Sequence, residues 1–332
     1  MNIHTLLDRW LSREIITEKQ YKVMLADIQA EQRDARSGRF TLIVSVLGAL
    51  LLGTGLILFF ASNWESLGHF TKLILITLLP IIPLLGGYYL SEIKKDFPIL
   101  GKSLIFLGVL LIGASLTLYG QLYHLESNPK SLFLTWFLLS IPFTYIVPFG
   151  ALAVAHTVLY IIWFHLEFAF RDGMWGIEPK EKTFVLWSLG MGLDLLVIGL
   201  LLQWKTKIFT AIHTVYRQFG LFFVLLTGWI YTLSIYVTEV LDYSDMERLG
   251  LNILYIALLA GGVWTGVTLR KSYVISQTFF WIAVYLLSLY FDFFWSLMDR
   301  SLFFMILGLA GLVGGFWLEK SRRKVLSLVH KK

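Results

Sequence analysis

The chain alternates runs of about twenty uncharged, apolar residues with short loops that carry most of its charge, and no other property limits its fold so severely. Coiled as an α-helix, such a run spans about 30 Å, the thickness of a bilayer's hydrocarbon core. Lipid offers no hydrogen-bond partner to a backbone amide, so a crossing segment must be a helix or part of a closed barrel. These runs are too long and too continuously apolar for barrel strands, which alternate in polarity over about ten residues. Ten runs qualify, at about 40–62, 70–90, 101–123, 131–147, 149–166, 183–202, 214–236, 249–269, 272–290 and 298–318. The expected fold is an all-α, polytopic transmembrane helix bundle of about ten spans.

The fourth and fifth spans come from one run, Ser131 to Phe168, that is too long for a single crossing. Pro142 and Pro148 interrupt it, and Pro148-Phe149-Gly150 supplies the turn. Charge gives an independent check. With the N-terminus inside, 21 of the 28 Lys and Arg residues fall on the inner side and 7 on the outer, as the positive-inside bias requires. Merging spans four and five would invert everything downstream and destroy that asymmetry. Both termini are therefore expected in the cytoplasm. The acidic residues lean the other way, with Glu239, Asp242, Asp245, Glu247, Asp292 and Asp299 in the outer loops.

The expected organisation is a cytoplasmic helical hairpin at 1–38, a transmembrane domain at 39–319 and a basic cytoplasmic tail at 320–332. Hydrophobic residues make up 57% and charged residues 15%, against about 45–50% and about 25% in soluble chains, so lipid must solvate the excess. The net charge of +6 sits in orienting loops, which argues for the lipid bilayer as partner and against nucleic acid. The first 39 residues are charged and helix-like, unlike a cleavable secretory signal, so the first span is expected to direct insertion. With no cysteine, the chain has no disulfide, no thiolate metal site and no cysteine nucleophile.

In the hairpin, Leu6, Leu7 and Trp10 face Tyr21, Met24, Leu25 and Ile28 at helical spacing. Thr17-Glu18-Lys19-Gln20 is a capping box that starts the second helix. The hairpin is too small for a core of its own and reads as a docking or oligomerisation element. Gly48, Gly53 and Gly55, the Gly262-x-x-x-Gly266 pair, and Gly308, Gly311 and Gly315 would let helix backbones approach closely, inside one chain or in a homo-oligomer. Trp64, Trp136, Trp163, Trp175, Trp187, Trp204, Trp295 and Trp317 fall near span ends, as in an interfacial aromatic belt.

Two groups of polar residues need an account. Asp194 lies eleven residues into the sixth span, roughly 16 Å deep and close to the midplane. A charge there costs at least about 2.5 kcal/mol. His156 is near the middle of the fifth span, so the two form a candidate intramembrane pair for a proton relay or cation site, against a plain hydrogen-bonded Asp194. The second group gathers at the outer surface. Asn63-Trp64-Glu65 ends span one, Gln121-Leu122-Tyr123-His124 ends span three, and Asp299-Arg300-Ser301 begins span ten. His124-Leu125-Glu126 and His165-Leu166-Glu167 lack a metal-ligand spacing, since i,i+2 residues do not share a helix face. No metal or cofactor is expected. Nucleophile elbows and phosphate-binding glycine loops do not occur, which argues against a serine hydrolase of that type and a nucleotide-driven pump.

The segments FFASNWES, YGQLYHLES and DRSLFFMILGLAGLVGGFWLEKSRRK resemble an uncharacterised bacterial "domain of unknown function" family of predicted polytopic integral membrane proteins. In that family an N-terminal helical hairpin precedes a multi-span domain with Asn-Trp-Glu and Gln-x-Tyr-His elements. The resemblance covers most of the chain, with the middle third matched by hydropathy alone. It implies candidate substrate-binding residues at Asn63, Trp64, Glu65, Gln121, Tyr123, His124, Arg300 and Ser301, and a bacterial inner (plasma) membrane location. One departure is Arg13-Glu14, at the hairpin turn where such proteins tend to carry glycine. The resemblance brings no activity with it. Three functional classes are therefore carried: a transporter or binding protein for a small or lipid-linked envelope substrate using an outward-facing polar cavity; a membrane-embedded enzyme on an envelope lipid, with His124 or Glu65 as base and Arg300 holding a head group; and a scaffold with a docking arm.

Overall fold

A computed structural model describes residues 3–125, 128–169, 181–205, 210–233 and 244–294, with isolated positions 305, 308, 309 and 312. Among these residues every element is helical and there is no strand. The helices are α1 (Ile3–Ser12), α2 (Glu18–Asn63), α3 (His69–Tyr88), α4 (Pro98–Leu122), α5 (Pro129–Ile146), α6 (Gly150–Phe164), α7 (Glu181–Lys205), α8 (Thr210–Ile230), α9 (Asp245–Thr268) and α10 (Ser272–Phe294). A 3-10 turn (Trp64–Ser66) follows α2, and π-helical turns follow α3 (Tyr89–Lys94) and α6 (His165–Ala169).

Seven of the described helical stretches are long and apolar enough to cross a membrane: Phe40–Ser66, His69–Lys94, Pro98–Leu122, Gly150–Phe168, Phe184–Gln203, Met246–Thr268 and Ser272–Phe291. The chain is a multi-pass, all-α membrane protein. The fourth and seventh sequence spans correspond to α5 and α8, which are helical but more polar. Here α5 opens on Pro129-Lys130-Ser131, and α8 carries His213, Arg217 and Gln218. The tenth span, 298–318, lies outside the described residues apart from its four isolated positions. Between α5 and α6 the turn contains Pro148, whereas Pro142, Pro80 and Pro83 sit inside helices.

Two compact units emerge, Met1–Glu167 with Gly199–Val215, and Phe168–Ile198 with Tyr216–Lys332. In the first, α2 runs for 46 residues through position 38 without a break, a length of about 69 Å. Arm and first span thus share one helix, because no residue from Glu18 to Asn63 is a proline and neither charge nor hydropathy alone stops a helix. The capping box at its start is formed in full: Thr17 Oγ1 accepts from the Gln20 amide at 3.3 Å, and Gln20 Oε1 accepts from the Thr17 amide at 2.9 Å. Tyr21 donates its hydroxyl to Asp8 Oδ1 at 2.8 Å, tying the two arm helices. That bond raises the phenol's pKa above its usual 10.0, so its contribution is complete below pH 10 and is lost as pH rises through the folded value.

The hairpin turn is a Schellman closure. Glu14 N–H reaches Leu11 O at 3.0 Å and Ile15 N–H reaches Trp10 O at 3.0 Å, which demands a left-handed residue between them. Glu14 takes that role at φ 57°. The missing glycine therefore leaves the turn geometry unchanged, and the residue bears the strain. Glu14→Gly is expected to stabilise the arm by about 1 kcal/mol, since left-handed backbone costs an L-residue about 1–2 kcal/mol and glycine returns part as unfolded-state entropy. Slower proteolysis of residues 8–20 in the intact protein would show it.

Helix α4 is the hub of the first unit, packed by α2, α3, α5 and α6. Ile105, Phe106, Leu107, Val109 and Leu111 of α4 form its core with Ala49, Val147, Phe149 and Leu152. Glycines set the spacing. A Cβ on Gly87 of α3 would stand 2.5 Å from Gly101 O of α4, and one on Gly101 would stand 2.6 Å from Ser91 N, so the two backbones touch. On the other side, a Cβ on Gly113 would meet the Trp136 ring at 2.5 Å. Trp136 Nε1 donates to Val109 O at 2.7 Å. Trp136 is thus a packed α4–α5 strut and not a belt residue, because lipid cannot satisfy its N–H.

In the second unit, Gly220 of α8 approaches Gly192 of α7, where an added Cβ would lie 2.7 Å from Gly192 O. Gly262 and Gly266 of α9 face Thr278 and Ile275 of α10. Leu225, Tyr255, Leu259, Trp281 and Tyr285 form the α8–α9–α10 core. Two bonds cross it: Tyr285 Oη donates to Asn252 Oδ1 at 2.8 Å, and Trp229 Nε1 donates to Ser288 Oγ at 3.2 Å.

A candidate binding cavity at the end of α4

Helix α4 ends in a second Schellman closure. His124 N–H reaches Gln121 O at 3.4 Å and Leu125 N–H reaches Gly120 O at 3.0 Å. The left-handed residue is His124, at φ 51°, a conformation glycine takes without penalty. The next helix starts almost at once. Asn128 is the N-cap of α5, its Oδ1 accepting from the Lys130 amide at 3.0 Å, and Pro129 fills the first helical position. So short a connection brings the end of α4 and the start of α5 to the same end of the unit, where they enclose a cavity of about 800 Å³.

Gln121 and His124 both line this cavity, with Tyr119, Asn128, Ser131 and Thr135. Neither the Gln121 amide nor the His124 imidazole makes a side-chain hydrogen bond among the described residues, and both residues are exposed. Their donors and acceptors are available to a ligand. Leu116, Leu125 and Leu132 supply apolar wall. From His124 back to Leu116 is eight residues of mostly helix, so the cavity reaches about 12 Å down α4. Asp, Glu, Lys and Arg are absent from the lining among the described residues.

The other sequence candidates are distributed as follows. Asn63 ends α2, its Nδ2 donating to Phe59 O at 2.8 Å within the helix. Trp64 packs under Lys72, whose Nζ lies 4.8 Å from the ring centroid. Glu65 is exposed in the 3-10 turn. None of these three lines the cavity. They sit at the same end of the unit, because the His69 ring that follows them meets Tyr123 edge-on at 6.4 Å between centroids. Tyr123 in turn packs on Tyr119 at 4.6 Å. It buttresses the cavity wall without lining it. Arg300 and Ser301 lie outside the described residues.

His156 belongs to the first unit and Asp194 to the second. The imidazole is 1% exposed; its Nδ1 pairs with Ser140 Oγ at 2.7 Å, it stacks on Phe137 at 4.5 Å and it meets Tyr145 edge-on at 5.9 Å. Ser140→Ala is expected to destabilise the protein by about 1–3 kcal/mol, the cost of stranding a buried polar atom, read as a lower unfolding midpoint in detergent. Asp194 is half-buried in α7, between buried Met191–Gly192 and Leu195. A cation inside the seventh sequence span, 214–236, is buried as well: Arg217 of α8 is 7% exposed, its guanidinium 5.8 Å from the Tyr273 ring.

Sequence reasoning found Gln121 and His124 but not Tyr119, Asn128, Ser131 and Thr135. The available signal was Asn128-Pro129, a cap followed by a first-turn proline, which marks where α5 begins and so how close it lies to the end of α4. Among the described residues no group of three His, Asp or Glu side chains converges as a metal site.

No curated protein matches the chain, and no solved structure does. A family model described as "Predicted membrane protein (DUF2157)" matches residues 8–153. That stretch takes in the arm from Asp8 onward, α2 to α5, and the Asn-Trp-Glu and Gln-x-Tyr-His elements. It stops short of His156, Asp194, Arg300 and Ser301, so the likeness is narrower than the sequence motifs implied. Residues 8–153, which include the cavity at the end of α4, are similar to a predicted membrane protein family of unknown function.

Proposed function

We propose that the protein binds an amphiphilic molecule of the cell envelope in the cavity between α4 and α5, as a binding protein or as the recognition step of a transporter. The observation that carries this reading is the placement of Gln121 and His124, with unspent hydrogen-bonding groups, in one cavity of about 800 Å³, a volume in the range of small-molecule sites. The leucines on the same wall match an apolar portion of the ligand. The positive-inside charge distribution supports a reading in which this end of the bundle lies on the outer face of a bacterial inner membrane, with both termini in the cytoplasm.

Left-handed backbone at His124 supports the same reading. A residue held where glycine would be less strained is a pointer to function when its side chain faces a site. Catalysis is less well supported. A general base must reach the proton it abstracts within about 3 Å or through one water, and Glu65, the other candidate base, lies outside the lining. Native mass spectrometry of the full-length protein, released from native membranes, tests the proposal. An envelope lipid or small molecule should co-purify with the wild type and be depleted in Gln121→Leu and His124→Gly. Equal retention in all three would overturn it.

A further inference from the structure

The chemistry of the cavity wall narrows the ligand class, on the reading that this cavity is the binding site. Among the described lining residues the polar groups are an imidazole, two carboxamides, a phenol and aliphatic hydroxyls, at His124, Gln121, Asn128, Tyr119, Ser131 and Thr135, with Thr117, whose hydroxyl is turned back to Gly113 O at 3.0 Å. An anionic head group brought here would surrender its water to a wall whose described residues include no fixed cation, a costly transfer. Lys72 and Lys130, the cations nearest in sequence to this end of the unit, are not in the lining; Lys72 stands over Trp64. A neutral, hydroxyl-rich group loses nothing comparable, because each hydroxyl can exchange water for one of these donors and acceptors. The Tyr119 ring, 46% exposed at the cavity edge, offers an apolar face of the kind that covers the C–H face of a sugar ring.

Depth supplies the second part of the argument. Leu116 and Leu132 lie within the helical segments, about two turns and one turn from the polar rim. A free sugar would leave that wall uncovered, whereas the first methylenes of a lipid anchor would cover it. We infer that the cavity takes the neutral saccharide head group of a glycolipid, with its lipid anchor running down between α4 and α5.

The test uses full-length protein in nanodiscs of zwitterionic phospholipid, doped in turn with a monoglucosyl diacylglycerol and with phosphatidylglycerol. Native mass spectrometry counts the retained lipid, and a soluble alkyl-free glucoside is assayed in parallel. Retention of the glycolipid at least about 5-fold above phosphatidylglycerol is expected, falling about 5-fold in Gln121→Leu, the loss expected for about 1 kcal/mol of hydrogen bonding. The soluble glucoside should not be retained. Preferential retention of phosphatidylglycerol, sensitive to Gln121→Leu, would overturn the saccharide inference and leave the cavity as a binding site. Glucoside retention without glycolipid retention would overturn the lipid-borne source. Glycolipid retention indifferent to both Gln121→Leu and His124→Gly would overturn the inference and the site together.

Discussion

His124→Gly is expected to fold as well as the wild type, or to be more stable by up to about 1 kcal/mol, while holding its ligand about 10-fold more weakly. The two effects separate because His124 does two things. Its backbone closes α4 at φ 51°, where an L-residue is strained by about 1–2 kcal/mol, less for histidine and asparagine than for bulkier types. Its imidazole lines the cavity. Glycine relieves the first and deletes the second. Its greater unfolded-state freedom returns about 0.5–1 kcal/mol of the gain, which sets the modest net figure. His124→Ala deletes the imidazole and keeps the strain, so it should bind as poorly and melt lower than the glycine variant. Unfolding midpoints in detergent and lipid retention, measured on the same preparations, check both halves. A glycine variant that binds normally removes His124 from the site; one that fails to fold removes the strain argument.

Hydropathy and loop charge made the helical class and most helix positions readable, because in a membrane the solvent itself selects runs of about twenty apolar residues. The same signal did not show that the arm runs into the first span as one helix. It divides the chain near residue 38 where apolar character begins, yet α2 is continuous from Glu18 to Asn63, since a helix ends at caps and breakers and not at a change of solvent. The site was half legible. Gln121 and His124 stood out as polar residues at a span end, but Glu65 shares their level and not their cavity. Depth along the membrane normal follows from counting residues, whereas lateral position and side-chain direction depend on tertiary packing that no one-dimensional pattern holds. Glycine motifs show the same limit. Gly262 and Gly266 lie on one helix and were visible as a pair, while Gly87 and Gly101 act across two helices and carry no spacing signature.

That cross-helix pair supports the largest stability effect expected in this chain. Gly101→Ala should cost at least about 3 kcal/mol, the top of the range for overpacking, because its Cβ would meet backbone and not a side chain that can turn away. The atoms are Ser91 N at 2.6 Å and Gly87 O at 2.7 Å. Relief requires α3 and α4 to part, and α4 is the helix that α2, α5 and α6 also pack on, so the strain is shared by the whole unit. Gly48→Ala and Gly55→Ala are the controls. These glycines of α2 belong to the small-residue run that the sequence alone marks, yet a Cβ on either finds nothing within 4 Å. Each should be neutral, or stabilising by about 0.5–1 kcal/mol from helix propensity. Fluorescence-detected size-exclusion after a heating series ranks the three. Equal midpoints for Gly101→Ala and the wild type would mean that α3 and α4 do not touch where the structure puts them. A loss at Gly48 or Gly55 would instead mean that α2 has a neighbour there, and a second copy of the chain would be the first to look for.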